Sequence, residues 1–362
     1  MKIGTIMKKD IIYARDWEKI PEKTWSGTAW NLRQNLMTYY NIIDIKLKAH
    51  CIRDYFAKVK LCKRDCSLTN IKNNRKRFFK KVKKINAPVF QFDETFCIKD
   101  SYLYIDLCVD YLVKLKSIDE STFNYSGFQK IPLVNLEKRA IEQNEYMTNY
   151  CRHIFTMGKW LKEYIVNELN IPESKVTAVG GGINIDQSKI GYSEKEGNKI
   201  LFVGRDFKRK GGELVIEAFK ELKKEILNAE LYIVGPSRKP YINDIPGVFF
   251  LGDIESKNLY KYFNKCDVFC MPSYFEAYGL VFAEALCFGL PCIGRNAFEM
   301  KYFIQENENG YLLHNDDKNE LCELMKKAIF NSNMKEFLKN NKENYLKEFS
   351  WEEVARRCSY II

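Results

Sequence analysis

Several common enzyme signatures are missing from this chain of 362 residues. The Walker pattern G-x-x-x-x-G-K-[ST] is absent, so no loop of that type for a nucleoside triphosphate is predicted. A nicotinamide oxidoreductase would need G-x-G-x-x-G after a strand, and the glycine-rich segment Val179–Asn184 does not supply it. The metal-binding triplet D-x-D does not occur either. These absences argue against two large classes of nucleotide-binding protein and against one kind of metal site.

Zinc-binding cysteine patterns and membrane-spanning runs are missing as well. The 12 cysteines are scattered, none forms C-x-x-C, and the pairs Cys62/Cys66 and Cys266/Cys270 have no second pair or histidine beside them. This spacing argues against a zinc site. No apolar run reaches the roughly 18 residues of a membrane span, and no cleavable signal is recognised. We therefore expect free thiols, no metal and a cytoplasmic location.

The chain does have the composition of a folded protein, together with one strongly basic segment. Hydrophobic residues make up 46% and aromatic residues 14%, and the length predicts two domains rather than one core. The net charge is +11, yet residues 46–84 alone hold 15 Lys or Arg against two Asp. One surface therefore carries the imbalance. Nucleic-acid binding is not predicted, because no recognised module accompanies the charge.

Short apolar runs alternate with helical or polar stretches, which predicts parallel sheets with helices on both faces. In the first half the predicted strands are Ile11–Tyr13, Ile42–Leu47, Val89–Phe92, Tyr102–Ile105, Ile154–Thr156 and Val176–Val179, with helices at Ala29–Tyr39 and Leu136–Tyr150. In the second half the predicted strands are Ile200–Val203, Leu231–Val234, Phe249–Leu251, Val268–Met271 and Cys292–Gly294, with helices at Glu213–Leu227, Gly279–Phe288, Lys318–Phe330 and Met334–Phe349.

This alternation predicts an α/β protein of two doubly wound, Rossmann-like domains that face each other across a cleft. The domains are residues 1–185 and 199–349, and the polar stretch 186–198 is the predicted linker. Ser350-Trp351-Glu352-Glu353 is an N-cap signal, so residues 350–362 are predicted to form a final helix.

Two carboxylates, Glu276 and Glu284, stand eight residues apart around a Tyr-Gly turn. Glu276 precedes a predicted helix and Glu284 lies inside it. The exposed N–H groups and partial positive charge of a helix start suit a phosphate, which these carboxylates would repel. Carboxylates are better matched to neutral hydroxyls, such as those of a sugar or a ribose. A nucleotide-sugar contains all of these groups. The alternative for Glu284 is a surface carboxylate, which its apolar neighbours disfavour.

A second candidate element follows the first strand of the second domain, where open α/β sheets place their ligands. It begins with Gly204, which permits a tight turn, and continues to Gly211-Gly212. Arg205 and Lys210 could hold a diphosphate between them. Taken alone, this segment would favour a solvated basic loop. With Glu276 and Glu284 at a strand-to-helix junction of the same sheet, however, the two elements would converge on one site.

This combination resembles the retaining glycosyltransferases of family 4, also called glycosyl transferases group 1, which have the GT-B architecture. The resemblance covers nearly the full chain and is strongest from Ile200 to Gly294. Its two glutamates are Glu276 and Glu284 here, and its basic element is Gly204-Arg205…Lys210-Gly211. The resemblance also implies that the final helix crosses back to the N-terminal domain.

The family resemblance implies a role for each matching residue. Arg205 and Lys210 would neutralise the donor diphosphate, Glu276 would face the transferred sugar, and Glu284 would accept from the ribose. The backbone that approaches the distal phosphate would be that of Ala277, Tyr278, Gly279 and Leu280. Gly27, in Trp25-Ser26-Gly27-Thr28, would be the glycine of the loop between the first strand and the first helix, which contacts donor phosphate or acceptor.

One departure from the family concerns a histidine that many members carry after the fourth strand. Of the three histidines here, His50, His153 and His314, none matches that position. Asp106, at the end of the run Tyr102–Leu107, does match it in order. Asp106 could orient the acceptor hydroxyl or balance charge near the anomeric carbon. Alternatively, it caps the next helix.

The basic segment places Leu68, Ile71, Phe78, Val82 and Ile85 near one helical face, with Lys and Arg around them. Such a helix suits an anionic membrane surface, with Arg75, Arg77, Lys80 and Lys81 as candidate contacts for the membrane or acceptor. The alternative is a solvated helix packed on the sheet by its apolar face.

We therefore expect a retaining transferase of class EC 2.4 that needs no metal or cofactor and takes a nucleotide-diphosphate sugar as donor. Its expected acceptor is a glycan or a lipid-linked glycan in cell-surface polysaccharide or glycolipid assembly, at the inner membrane face. Glu276, Asp106, Arg205 and Lys210 are the candidate catalytic residues. Two alternatives stay open: a sugar-phosphate-accepting synthase of the same fold, and a non-catalytic glycosyltransferase-like binding subunit. The sequence does not predict the oligomeric state.

Overall fold

A computed structural model describes residues 8–15, 17–46, 82, 84–92, 98–191, 197–237 and 245–362. The chain divides into two compact units, Met1–Gly181 with Trp351–Ile362, and Gly182–Ser350. Each unit is built on a parallel sheet, as the alternation of apolar and helical segments predicted. The stretch 186–198, predicted as a linker, falls within the second unit in this division.

The first unit contains a parallel sheet whose described strands run in the order β2-β1-β3-β4-β5-β6. Most of the strand residues are buried on both faces, which explains why their sequences are continuous apolar runs rather than alternating ones. The strands are β1 Lys9–Arg15, β2 Tyr40–Lys46, β3 Val89–Phe92, β4 Ser101–Ile105, β5 Cys151–Thr156 and β6 Val176–Ala178.

Helices connect these strands and cover the sheet. The described helices of the first unit are Thr28–Leu36, Val109–Ile118, Glu120–Phe123, Leu133–Asn149, Lys159–Asn167 and Trp351–Ser359, with short 3₁₀ helices at Pro21–Gly27 and Glu173–Lys175. The last of the α-helices, Trp351–Ser359, packs against Thr28–Leu36 at the other end of the chain. The Tyr40 hydroxyl donates to the carbonyl of Ser359 at 3.2 Å, and Arg357 Nη1 donates to that of Val179 at 3.1 Å. The final helix thus belongs to the first unit, as the fold-class prediction required.

The second unit contains a parallel sheet in the order β12-β11-β10-β7-β8-β9. Numbered within the unit, this is the order 3-2-1-4-5-6 of dinucleotide-binding domains, read from β9 to β12. The strands are β7 Lys199–Val203, β8 Glu230–Val234, β9 Val248–Gly252, β10 Val268–Cys270, β11 Cys292–Arg295 and β12 Gly310–Leu313. The described helices are Gly212–Glu225, Tyr260–Lys265, Leu280–Cys287, Met300–Phe303, Lys318–Phe330, Ser332–Asn340 and Lys342–Glu348, with 3₁₀ helices at Gln187–Lys189 and Ser256–Asn258.

Two predicted helices end or break at residues that the sequence did not indicate. The helix predicted at Ala29–Tyr39 ends at Leu36, because Tyr40 already begins β2. The helix predicted at Met334–Phe349 is interrupted at Asn341, whose ψ of 8° is outside the helical range. Asn is a weak helix former whose side chain competes for backbone hydrogen bonds, and here Asn341 Nδ2 donates to the carbonyl of Phe337 at 3.0 Å.

Most of the basic segment, including Arg75, Arg77, Lys80 and Lys81, lies outside the described residues. The prediction of a membrane-facing helix there stays a prediction. Within the described part of the chain, no helix combines the length and apolar character needed to cross a bilayer.

Candidate functional site

The candidate residues of the second unit lie where the strand order of its sheet reverses. β7 and β10 are parallel neighbours in the sheet. The chain leaves β7 toward β8 and leaves β10 toward β11, in opposite directions along the sheet. In open α/β sheets, ligands bind outside the carboxyl ends of the strands at such a switch point. The Gly204–Gly212 loop follows β7 and the Pro272–Gly279 loop follows β10.

The loop after β7 requires glycine where the chain passes close to its neighbours. A Cβ added at Gly204 would lie 2.7 Å from Lys210 Cγ, so the Lys210 side chain packs directly over the Gly204 backbone. Gly211 has a φ of +77°, and a Cβ there would lie 2.4 Å from the carbonyl oxygen of Pro272. Both glycines therefore allow a close approach that a side chain would block.

Hydrogen bonds join this loop to the loop after β10. The N–H of Tyr274 donates to the carbonyl of Arg209 at 2.9 Å, and Arg209 Nη1 donates to the carbonyl of Phe275 at 2.8 Å. The two loops are thus held together through both the backbone carbonyl and the side chain of Arg209. They bring residues distant in sequence into a single site.

Lys210 and Glu276 form an ion pair at the centre of this site, and each side chain is only 11% exposed. The same carboxylate oxygen, Oε2, accepts from the Ser273 hydroxyl at 3.3 Å and lies 4.0 Å from Arg209 Nη1. Burial lowers the pKa of the Lys210 ammonium, and the positive charge of Arg209 lowers it further. The Asp206 carboxylate opposes this lowering, and the paired carboxylate of Glu276 also favours the charged form of an ammonium.

A helix start lies next to the ion pair. Gly279 is the N-cap of the helix Leu280–Cys287, with a φ of +95°, and it has no side chain to cap the first turn. A Cβ added at Gly279 would lie 3.0 Å from Glu276 Cγ, so the glutamate stem packs against the beginning of the helix. The partial positive charge of this helix end would favour a phosphate group near Leu280. Ala277 and Tyr278 lie in the turn between Glu276 and Gly279, with Tyr278 buried.

Glu284 lies within that helix and is buried, with 8% of its surface exposed. Burial raises the pKa of its carboxyl group to about 7, and only the N–H of Asn184, 3.4 Å from Oε1, opposes this shift. A surface position for Glu284 is therefore wrong. A buried carboxyl group whose pKa lies near neutrality is typical of functional sites.

The Arg205 side chain does not join Lys210 at the ion pair. It is 75% exposed and its Nε lies 3.3 Å from Asp253 Oδ1, beyond the end of β9. Arg205 thus lies on the same loop as Lys210 but pairs with a different carboxylate. Its predicted contact with a diphosphate requires a rotation of the side chain.

Arg209, Ser273 and Arg295 also belong to this site, although they are not among the residues predicted from the sequence. Arg295, at the end of β11, donates from Nε to the carbonyl of Ser273 at 3.2 Å and from Nη2 to that of Pro272 at 3.3 Å. Its guanidinium also lies 4.4 Å from the centre of the Tyr274 ring. Arg295 therefore fixes the loop that carries Glu276. Its position directly after the predicted strand Cys292–Gly294 was the available signal.

The candidate residues of the first unit, Gly27 and Asp106, follow β1 and β4 in the sequence. Gly27 has a φ of +94° and is the N-cap of the helix Thr28–Leu36. Trp25 and Ser26 before it also have positive φ, of 51° and 56°. Three consecutive residues before this helix are therefore left-handed. Such values are unfavourable for Trp25 and Ser26, which have side chains. Gly27 thus lies between the first strand and the first helix.

Asp106 directly follows β4 and is partly buried. The alternative that it is the N-cap of the next helix is wrong, because that N-cap is Cys108. The N–H of Val109 instead donates to the Gln143 side chain at 2.7 Å. Among the histidines, His153 is buried in β5 against Thr177, and burial lowers its pKa to about 4. His153 is therefore a structural residue.

Residues 184–345 match the family model described as Glycosyl transferases group 1. The uncharacterized glycosyltransferase MJ1607 of Methanocaldococcus jannaschii is 28% identical over 61% of this chain and 62% of its own length. The capsular polysaccharide biosynthesis glycosyltransferase CapM of Staphylococcus aureus is 24% identical over 63% of this chain and 65% of its own length. The matched region thus spans less than two thirds of each relative.

Similarity to a solved structure extends over nearly the whole chain. Sucrose-phosphate synthase from Thermosynechococcus elongatus superposes with a TM-score of 0.69 at 16% identity, and covers 98% of both chains. The fold is the GT-B fold of two Rossmann-like units. Within the second unit, residues 184–345 are similar to the glycosyl transferases group 1 family.

Proposed function

We propose that this protein transfers a sugar from a nucleotide-diphosphate sugar to a glycan or lipid-linked acceptor, with retention of configuration at the anomeric carbon. One observation supports this most strongly. At the switch point of the second sheet, a buried cation and a buried carboxylate, Lys210 and Glu276, lie beside a helix start. A nucleotide-diphosphate sugar offers its diphosphate to Lys210 and its sugar hydroxyls to Glu276.

In this proposal Lys210 and the first turn of the helix Leu280–Cys287 bind the diphosphate. Both stabilise the negative charge that develops on it as it leaves. Arg205 rotates from Asp253 to the outer phosphate oxygens. Glu276 accepts hydrogen bonds from hydroxyls of the transferred sugar, and Glu284 accepts them from the ribose.

The transfer step requires no nucleophile from the protein. The bond between the anomeric carbon and the diphosphate oxygen breaks, and the acceptor oxygen bonds to the same face of that carbon. The acceptor hydroxyl gives its proton to the departing diphosphate, which leaves as the nucleoside diphosphate. We propose that the transfer is independent of metal ions, because Lys210, Arg205 and the helix start supply the positive charge. Asp106 and Gly27 would act on the acceptor side.

The proposed acceptor is a cell-surface glycan or its lipid-linked precursor. The similarity to CapM, whose name assigns it to capsular polysaccharide biosynthesis, supports this choice. The basic segment around Arg75, Arg77, Lys80 and Lys81 also supports it, because such a segment suits the anionic inner face of a membrane. The proposed location is therefore cytoplasmic and peripheral to that membrane.

Slow hydrolysis of the donor tests the proposal without knowledge of the acceptor. The purified chain would be incubated with nucleotide-sugars that differ in base and sugar, and nucleoside diphosphate release would be followed. We expect release from one donor class, and loss of release in Lys210→Ala and Glu276→Ala. No release from any donor and no binding of any nucleotide would contradict the proposal. Binding without turnover, even when glycan acceptors are added, would indicate the non-catalytic binding subunit instead.

A further inference from the structure

The Lys210 ammonium and the Glu276 carboxylate are ion-paired with each other, although the proposed function directs them to different parts of the donor. Lys210 binds the diphosphate in that proposal, and Glu276 binds hydroxyls of the transferred sugar. Their pair is largely excluded from solvent. Binding of the donor must therefore break the pair and give each member a new partner.

We propose that this ion pair couples recognition of the diphosphate to recognition of the sugar. The site then favours an intact nucleotide-sugar over the nucleoside diphosphate that transfer leaves behind. This inference rests on the proposed function, from which it takes the partners of both side chains. In addition, the pair of Lys210 and Glu276 sets the preference for the intact donor and thereby promotes release of the nucleoside diphosphate.

The coupling follows from the cost of isolating a buried charge. Removal of one member of a buried ion pair leaves the other uncompensated, which is strongly unfavourable. An intact donor supplies phosphate oxygens for Lys210 and hydroxyls for Glu276. A nucleoside diphosphate supplies only the first. Glu276 then retains the Ser273 hydroxyl at 3.3 Å and the more distant Arg209 Nη1 at 4.0 Å.

Packing around the pair limits how far either side chain can move away. The Lys210 stem lies over Gly204, where an added Cβ would be 2.7 Å from Cγ. The Glu276 stem packs against Gly279 at the start of the helix. Arg205 offers the contrast, because its pair with Asp253 joins side chains that are 75% and 51% exposed. Replacement of the Arg205–Asp253 contact by a contact with a ligand costs little free energy, because both side chains are exposed. The coupling is therefore specific to Lys210 and Glu276.

The decisive variant is Glu276→Gln, which removes the charge and keeps the size of the side chain. Binding of uridine, adenosine and guanosine 5′-diphosphates would be measured by calorimetry for the wild type and the variant. For the diphosphate that the wild type binds, we expect affinity in Glu276→Gln to rise by about tenfold. The reason is that Lys210 no longer has a carboxylate to leave. The corresponding nucleotide-sugar should gain no affinity.

Asp206→Asn is the matched control for the loss of one negative charge. Asp206 lies on the same loop, and its Oδ2 is 3.4 Å from Arg209 Nε. We expect diphosphate affinity in this variant to change by less than about threefold, because the Asp206 side chain is 59% exposed and solvent screens its charge. Glu276→Asp keeps the charge, so its diphosphate affinity should stay close to that of the wild type.

Each outcome separates the coupling from the proposed function. Wild-type binding of a diphosphate, with equal or weaker binding by Glu276→Gln, would overturn the coupling and leave the proposed function intact. Equal tightening by Asp206→Asn would also overturn it, by showing a general charge effect. Absence of any nucleotide binding would overturn both. If Glu276→Gln does not fold, the wild type decides: the coupling predicts tighter binding of the intact donor, and equal affinities would overturn it.

Discussion

The backbone N–H of Tyr274 donates to the carbonyl oxygen of Arg209 at 2.9 Å, and this bond joins the loop after β10 to the loop after β7. Because the two loops are fixed to each other, Lys210 and Glu276 lie within the same buried site. The contacts between the loops therefore form the site, which contains residues of both loops.

Lys210 should matter more than Arg205 for binding of a nucleoside diphosphate. Lys210 is buried at the centre of the site, whereas Arg205 is 75% exposed and must rotate to reach a ligand. A hydrogen bond to a charged group contributes about 1.5–3 kcal/mol, so Lys210→Ala should weaken binding by roughly tenfold to a hundredfold. Arg205→Ala should weaken it by a smaller factor. Calorimetry that shows unchanged affinity in both variants would refute the binding of the diphosphate by Arg205 and Lys210.

Glu276→Ala should lose transfer while it keeps nucleotide binding. The carboxylate is assigned to hydroxyls of the transferred sugar, so its loss misplaces the reacting carbon. Misplacement of about 1 Å is enough to lower the rate by roughly a hundredfold. Donor hydrolysis and diphosphate binding would be measured on the same preparation. Unchanged turnover would remove Glu276 from its assigned role.

Glu284 should make nucleotide binding dependent on pH near neutrality. Its carboxyl pKa is about 7, and donation from ribose hydroxyls favours the ionised form. Affinity should therefore rise as the pH increases through 7. The diphosphate itself also titrates near this range, so Glu284→Gln is the control. The variant should bind more weakly than the wild type at pH 8 and should lose the Glu284 part of the pH dependence. Identical pH profiles would contradict this role.

Burial of Glu284 should also reduce the stability of the folded protein at neutral and higher pH. Its folded pKa of about 7 lies above the ordinary value of 4.5, so the folded state holds this proton more tightly than the unfolded state. Stability therefore falls as the pH rises from about 4.5 to about 7, by about 3 kcal/mol in all. Glu284→Gln should raise the melting temperature at pH 8 and change it little at pH 4.5. A lower melting temperature at pH 8 would contradict the cost of burial.

Gly211→Ala should destabilise the protein more than Gly252→Ala. Both glycines have a positive φ, of +77° and +70°, so both substitutions introduce a similar backbone strain. A Cβ at Gly211 would also lie 2.4 Å from the carbonyl oxygen of Pro272, whereas nothing lies within 4 Å of one at Gly252. Thermal unfolding of the two variants measures the difference. Equal destabilisation would show that the contact between the loops is not tight.

Neutralisation of Arg75, Arg77, Lys80 and Lys81 should reduce sedimentation with anionic vesicles, if the basic segment lies on a membrane. Juxtamembrane cations contribute about 1 kcal/mol each near such a surface. Neutralisation of the exposed residues Lys19, Lys23, Lys130 and Lys138 removes the same charge elsewhere and is the control. An equal loss in both variants would indicate a non-specific charge effect. No loss in the first would favour the solvated helix.

Strand positions followed from the sequence at most of the continuous apolar runs. The buried strands at Ile200–Val203 and Val89–Phe92 were predicted to within one residue, because both of their faces are covered. β12, Gly310–Leu313, was not predicted, since a four-residue apolar run after polar residues gives a weak signal. The break at Asn341 was missed because both flanking segments have helical sequences.

The candidate site was predictable in its two motifs but not in its contacts. Glycine positions and the placement of Glu276 before a helix follow from local sequence. The partners of each charge depend on how loops from different strands meet. For this reason the sequence placed Arg205 beside Lys210, while the structure pairs it with Asp253. The contribution of Arg295 likewise depends on the neighbouring strands β10 and β11.

Turnover of a nucleotide-sugar by the wild type beside Glu276→Ala and Lys210→Ala tests the central claim most directly. Release of nucleoside diphosphate would be measured for each protein with a panel of donors, and the anomeric configuration of the product would be determined by NMR. We expect release by the wild type, loss of release in both variants, and a retained configuration in the product. Release of the same size in all three proteins, or no release from any donor, would contradict it.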